Sequence, residues 1–363
     1  MTLAATSSFS WRAPGRKAVA IWLFAVAAII VGMVTLGGLT RITGSGLSIT
    51  EWDPIMGAIP PLNDAQWHEA FAKYQLIPQY RLENHGMSLD AFKAIFWWEW
   101  THRFLGRLLG LVFFVPFVWF AWTGAIARRE WPRMLLLFAL GGLQGFVGWW
   151  MVESGLETRV AVSQYRLAIH LGVAIILLGA ILWTALEYLR LPGEHRHVRS
   201  SPLAKSGFGL VALVYIQMLL GALVAGLHAG LIYNTWPSMD GRAFPENPFS
   251  VTPWWRSFFE DPGLAQFDHR IGAYIVFFAA LALSFRVRSK RPSAQSGNAA
   301  GVVAGLAVFQ VVLGIVTLLT QAPLALAAAH QVTAAALFCA ATWLAFELRD
   351  TPETIAAPCW REA

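Results

Sequence analysis

The sequence predicts an all-α integral membrane protein whose eight transmembrane helices form two parallel-repeat four-helix bundles. Three observations lead there. Of 363 residues, 56% are hydrophobic and only 13% charged, with mean hydropathy +0.52, too apolar for a soluble globular chain. Apolar runs of about 20 residues, the length that crosses a bilayer, recur along the chain. The second half also repeats motifs of the first.

In chain order the expected spans cover roughly 20–39, 104–123, 134–152, 167–188, 208–227, 270–285, 300–320 and 325–346. After the first, Asn63-Asp64 precedes Trp67, Phe71 and Tyr74 at turn spacing, the pattern of an amphipathic helix lying at the membrane interface. Ser88 suits an N-cap for a helix running through Phe92, Phe96 and Glu99 into the second span. Glu99 and His102 then share one helical face.

Basic residues set the orientation, because cytoplasmic loops retain them. Arg12, Arg16 and Lys17 precede the first span. Arg128, Arg129 and Arg133 follow the second, Arg196, Arg199 and Lys205 the fourth, and Arg286, Arg288, Lys290 and Arg291 the sixth. Both termini are expected in the cytoplasm and the chain in a bacterial inner membrane. The opposite loops carry Glu51, Asp53, Asp64, Glu69, Glu83, Asp90, Glu153, Glu157, Glu260 and Asp261, so the net charge of +6 describes a sided membrane protein and argues for no nucleic-acid partner. The first apolar run is full length and lacks a small-residue cleavage site, which reads as a retained helix. Cys339, in the eighth span, and Cys359, in the tail, suit neither an external disulfide nor a metal cage.

The repeat aligns Gly37-Gly38-Leu39, Gly46-Leu47 and Trp52 with Gly221-Ala222-Leu223, Gly230-Leu231 and Trp236, without a gap. It continues from Gln144, Gly148 and His170 to Gln310, Gly314 and His330. Four spans per copy make the copies parallel. The expected organisation is a cytoplasmic segment 1–19, a first bundle 20–190 with a long external loop, a linker 191–207, a second bundle 208–348 and a tail 349–363. Small residues and glutamines at such spacing are the usual glue between membrane helices.

Helix packing does not explain a histidine at the same end of every even-numbered span: His102, His170, His269 and His330. Ionisable groups at membrane depth are functional candidates, and imidazole is a standard axial ligand of haem iron, so the pattern reads as two bis-histidine haem sites. Zinc or copper would also recruit cysteine or carboxylate, and no such residue recurs beside all four. Arg103 and Arg270 directly follow two of the histidines, placed either to pair haem propionates or to snorkel toward the interface; Arg107 and Arg166 share that ambiguity. His228 has no counterpart in the first copy, and His68, His85, His195 and His197 lie in loops. The copies differ where Glu99 precedes His102 and Gln266 precedes His269. A carboxylate near a haem face can exchange a proton as a substrate carbon is oxidised, which makes the first half the expected reaction chamber.

The Gly37-Gly38-Leu39-Thr40-Arg41 and Thr43-Gly44-Ser45-Gly46-Leu47-Ser48 run, the Glu99-Trp100-Thr101-His102-Arg103-Phe104-Leu105-Gly106-Arg107 segment, Asp268-His269-Arg270 and Ala329-His330-Gln331 together resemble the heme A synthase family, in its proteobacterial and mitochondrial branch. The resemblance implies oxidation of the methyl group at ring position eight of haem O to a formyl group, making haem A for cytochrome c oxidase. It implies haem b as cofactor on His269 and His330 with Arg270 nearby, substrate haem on His102 and His170 with Arg103 nearby, and Glu99 as the acid/base or cation-stabilising carboxylate. Some branches carry an external cysteine pair, which this chain lacks. Pathway logic adds a haem O synthase and an electron-transfer partner beside the membrane lipid, and leaves a homo-oligomer open. Two other classes share some of these features. A di-haem b electron carrier would use all four histidines but has no need of Glu99. A parallel-repeat transporter would place its site at mid-bilayer on broken helices.

Overall fold

A computed structural model describes residues 15–53, 56–190, 201–290 and 293–349. Among these the chain is helical, with a single isolated bridge between Met239 and Arg242. Eight helices are long and apolar enough to span a membrane: α1 (Arg16–Ile42), α4 (Leu89–Trp122), α5 (Trp131–Glu153), α6 (Gln164–Leu189), α7 (Pro202–Gly226), α9 (Pro262–Lys290), α10 (Ala294–Leu319) and α11 (Leu324–Leu348). The shorter α2 (Asp64–Tyr74) and α3 (Pro78–Leu82) lie between α1 and α4, and α8 (Ser257–Glu260) leads into α9.

Local chemistry sets several starts. Ser88 and Asn63 cap α4 and α2 through their side chains, accepting from Ala91 N and Gln66 N, as the spacing predicts. Ser201 caps α7 ahead of Pro202, and Ser293 with Ser296 closes a capping box on α10. Helix α7 therefore begins inside the segment expected as linker, and α9 starts eight residues before the apolar run because Asp261 Oδ1 accepts from Leu264 N at 2.7 Å. Helix α4 continues through Pro116 unbroken. Residues Arg12, His195, Arg196, His197, Arg199, Arg291 and Cys359, with most of the expected terminal segment, linker and tail, lie outside the described residues.

Helices α1, α4, α5 and α6 pack as a ring of neighbours, α1 on α6 and α4, α5 on α4 and α6. Helices α7, α9, α10 and α11 close a second ring. The rings meet through α6 on α7 and α11, and α1 on α11. Their shared core includes Leu23, Ile30, Ile175, Leu178, Ile181, Leu210, Phe338 and Leu344. By contrast α4, α5 and α10 leave Leu111, Val115, Trp119, Leu136, Phe146, Phe309 and Val312 exposed, where lipid tails are the natural solvent. At the basic end Glu187 pairs with Arg133 and Arg349, and Arg190 with Glu347 at 3.3 Å.

The α2 helix departs from expectation. Its apolar face does not lie in lipid: Trp67 and Tyr74 are buried with Leu47, Ile77, Phe92, Phe96 and Val162 in a second core beyond the bundle. The first three turns of α4 project past the spanning segment and offer α2 an aromatic surface, with Trp67 and Phe96 rings 4.9 Å apart edge to face. This small core anchors the loop that reaches Glu99.

Candidate functional site

All four histidines sit in the N-terminal halves of α4, α6, α9 and α11, hence toward one side of the bundle, opposite the basic ends. Each imidazole lies against a glycine of the neighbouring helix in its own ring. A β-carbon added at Gly37 would stand 3.1 Å from His102 Cε1, at Gly148 2.9 Å from His170, at Gly221 3.2 Å from His269 and at Gly314 2.8 Å from His330. A side chain would clash with the ring at Gly148 and Gly314 and crowd it at Gly37 and Gly221, so these glycines are seats for imidazoles.

One turn before three of these glycines stands a glutamine. The Gln144 amide donates to the His170 carbonyl oxygen (3.0 Å) and lies 3.1 Å from its Nδ1. Gln217 does the same to His269, at 2.8 Å and 3.0 Å. Gln310 donates to the His330 carbonyl at 3.1 Å and lies 3.3 Å from its Nε2. These glutamines, read from sequence as helix glue, touch the histidines directly. The signal was present, since each lies four residues ahead of a matched glycine.

The His269 and His330 ring centres are 6.4 Å apart at 74°. Imidazole–metal bonds run about 2.0–2.1 Å, and the ring centre lies about 1 Å behind the ligating nitrogen, so an ion held midway calls for roughly 6 Å. The second-half pair meets that requirement. Several buried polar atoms around the four histidines lack partners: His102 Nδ1, His330 Nδ1, Trp100 Nε1 and the Oε1 atoms of Gln144, Gln217 and Gln310. Buried polar groups are normally satisfied. The residues present therefore fit an iron porphyrin between paired imidazoles.

Glu99 is 3% exposed and tightly held. Its Oε2 accepts from Ser48 Oγ and Ile49 N, both at 2.8 Å. Its Oε1 accepts from Arg103 Nε at 3.0 Å and Nη2 at 2.6 Å. Arg103 also donates to the carbonyls of Ile49 and Glu51. In the second half Gln266 is equally buried, but its amide donates to the Ala229 and Tyr233 carbonyls at 2.8 and 3.2 Å, while Oε1 accepts from Arg270 at 3.1 Å. Arg270 also donates to Tyr233 and Ser238 carbonyls. Both arginines thus pin loop to helix one turn after the Glu or Gln, a partnership that sequence reasoning missed along with Ser48. Arg107 donates to the Asp53 carbonyl, and Arg166 to that of Trp150. Beside Arg103, a cavity of about 240 Å³ opens between Thr50, Glu51, Trp52, Trp149, Glu153 and Glu157.

Several contacts tie the halves together on this side of the bundle, Tyr165 donating to Glu260 at 2.7 Å among them. The Gln331 amide, next to His330, donates to Val34 O at 2.9 Å; a β-carbon at Gly38 would collide with it. Arg41 donates to His228 Nε2 at 2.6 Å and to Gly226 O at 3.0 Å, and burial, with Arg41 alongside, holds the His228 imidazole below its ordinary pKa. His228 is therefore a bridge between halves, with φ 52 placing it in the left-handed region.

Residues 20–342 match the COX15-CtaA family, described as cytochrome oxidase assembly protein. The chain is 50% identical over 326 residues to the heme A synthase of Parvibaculum lavamentivorans, covering 90% of this chain and 93% of that one. It is 49% identical over 322 residues to the heme A synthase of Rhodopseudomonas palustris strain BisA53, covering 88% and 87%. With the heme A synthase of Bradyrhizobium diazoefficiens it shares 50% over 324 residues, 88% and 89% of the two chains. With four glycine-seated histidines on eight spanning helices and agreement over nearly its whole length, the chain belongs to the COX15-CtaA family of cytochrome oxidase assembly proteins.

Proposed function

We propose that this chain is a heme A synthase, a membrane oxidoreductase that converts the methyl group at ring position eight of haem O to a formyl group and so makes haem A for cytochrome c oxidase. The observation that carries the reading is the difference at matched positions. Two histidine pairs sit in like cages, but only the first has a carboxylate, Glu99, fixed one turn from a ligand.

On this reading His269 and His330 hold haem b, and His102 and His170 hold the substrate haem. Bound haem b supplies the redox chemistry. The protein's own residues orient and polarise. The glycine seats fix the height of each imidazole, and glutamines hold His170, His269 and His330 from the side. Glu99 provides negative charge to stabilise positive charge developing at the substrate carbon, or accepts the proton released there. Its four hydrogen bonds all come from donors, which suits the electrostatic role; the proton-transfer role requires one of them to open. Arg103 and Arg270 are committed to loop carbonyls, so propionate pairing would compete with those bonds. The basic ends at Arg16-Lys17, Arg128 to Arg133 and Arg286 to Lys290 support cytoplasmic termini in a bacterial inner membrane, with the haem sites toward the outer face. A haem O synthase and an electron-transfer partner follow from the same reading.

The test is porphyrin identification. Cells lacking the chain should accumulate haem O, and a Glu99→Ala protein should bind haem yet yield no haem A. Normal haem A output from Glu99→Ala would remove Glu99 from the chemistry. Stable haem b in both sites, with no haem O or oxidised product, would make the protein an electron carrier.

A further inference from the structure

A groove between α7 and α9, at their basic ends and away from the histidines, encloses a cavity of about 490 Å³. Its floor is Leu210 and Leu283, both buried. Its walls are low because they are built from Gly209, Ala279 and Ala282, and a β-carbon at Gly209 would meet nothing within 4 Å. Between Ser206 and Ile216, which mark its extent on α7, the helix rises about 15 Å, half of the roughly 30 Å hydrocarbon core. Arg286 lines the end nearest the aqueous phase, exposed and without an ion pair among the described residues. The first half fills the same seam. The register that pairs Gly37 with Gly221 pairs Trp22 with Ser206, and the one that pairs His102 with His269 pairs Val112 with Ala279 and Trp119 with Arg286. Trp22 is buried against α4, its Nε1 donating to Val112 O at 2.8 Å and its ring centre 5.0 Å from that of Phe113. In the second half small side chains stand where the indole packs, and a cation stands where Trp119 does.

We propose that this groove binds an anionic phospholipid, with one acyl chain lying over Leu210 and Leu283 and the phosphate paired with Arg286. Length and charge together select that occupant. The groove is as long as the acyl region of one leaflet, whereas a spanning helix of a second copy would need a groove through the whole core. A guanidinium forks onto two phosphate oxygens, and Lys205, Arg288 and Lys290 at the same end add to the field that draws anionic headgroups to basic pockets between helices. A flexible acyl chain also restores the dispersion contacts that an unfilled groove forfeits. A lipid seated there joins α7 to α9, the two helices that bring Gly221 and His269 together, and so does for the second half what Trp22 does for the first.

The test places the full chain in vesicles of equimolar dioleoylphosphatidylglycerol and dioleoylphosphatidylcholine and identifies, by native mass spectrometry, the lipid that stays bound when the membrane is stripped away. Wild type should retain one phosphatidylglycerol in preference to phosphatidylcholine. Arg286→Gln should lower that preference about fivefold, while Arg129→Gln, at the basic end of the first half, should leave it unchanged. Ser206→Trp, which copies the first half, should abolish retention of either lipid. Arg286 is exposed, so Arg286→Gln carries the test if Ser206→Trp fails to fold. Equal retention of the two lipids by wild type, or a preference unmoved by Arg286→Gln, would overturn the proposal. So would a wild-type dimer without bound lipid that Ser206→Trp separates into monomers, which would give the groove to a second copy of the chain.

Discussion

Glu99 and Gln266 stand at matching positions, equally buried, each followed one turn later by an arginine bonded to the same loop carbonyl, Ile49 in one half and Tyr233 in the other. The backbone around them has inverted polarity. At Glu99 the loop presents donors, Ser48 Oγ–H and Ile49 N–H; at Gln266 it presents the carbonyls of Ala229 and Tyr233. One frame therefore holds a carboxylate in one half and a neutral amide in the other, each with a loop rebuilt to match. The difference teaches that the charge at Glu99 is supported by its surroundings rather than tolerated, and that the second half has been made neutral by an equally complete set of bonds.

The coarsest way to break this comparison is to remove an imidazole. His330→Ala should abolish haem at the second-half site and leave the first-half absorbance, read as about half the wild-type haem per chain by pyridine haemochrome. The next is to exchange the two polar residues. Glu99→Gln puts an amide N–H against the donors of the Ser48 loop or Arg103, and Gln266→Glu sets a carboxylate against two carbonyls. A buried group left unsatisfied costs about 1–3 kcal/mol, so each should lower the unfolding midpoint in detergent, and the double swap should not restore it because the loops are not exchanged. Midpoints equal to wild type would show the two loops to be permissive.

The smallest expected effect sharpens the account of how the halves meet. Burial, and then the nearby Arg41, lowers the His228 pKa in the folded chain, so folding favours the neutral ring. Its stabilisation is complete above the unfolded value of about 6.5 and is lost as pH falls through that value toward the lower folded one. His228→Gln, which keeps an acceptor for Arg41 but cannot titrate, should flatten the acid side of the stability profile between about pH 6.5 and 5. An unchanged slope would remove His228 from the interface.

Much of this was readable in the chain because a membrane imposes long apolar helices, and because glycines and histidines recur at matched spacings in the two halves. Spans, caps at Ser88 and Asn63, and the positions of the four histidines along their helices follow from spacing alone. Three features did not. The α2 helix has the apolar stripe of an interfacial segment, and spacing does not show that it folds back onto the extension of α4 that begins at Ser88. Arg103 and Arg270 carry the same charge whether they meet propionates or loop carbonyls, and which they meet depends on how the loops fold back. The glutamines have two ordinary explanations in sequence, interhelical glue or support for a ring, and only the crossing geometry at Gly148, Gly221 and Gly314 separates them.

The central claim is that each half carries its own paired imidazoles and that the two sites are independent. The most direct measurement is haem content and low-spin spectrum of a chain lacking both first-half ligands, His102→Ala with His170→Ala, purified beside wild type. The account predicts one haem per chain in the double variant, with the bis-imidazole spectrum of the second site unchanged. Loss of all haem, or retention of the wild-type complement, would contradict it.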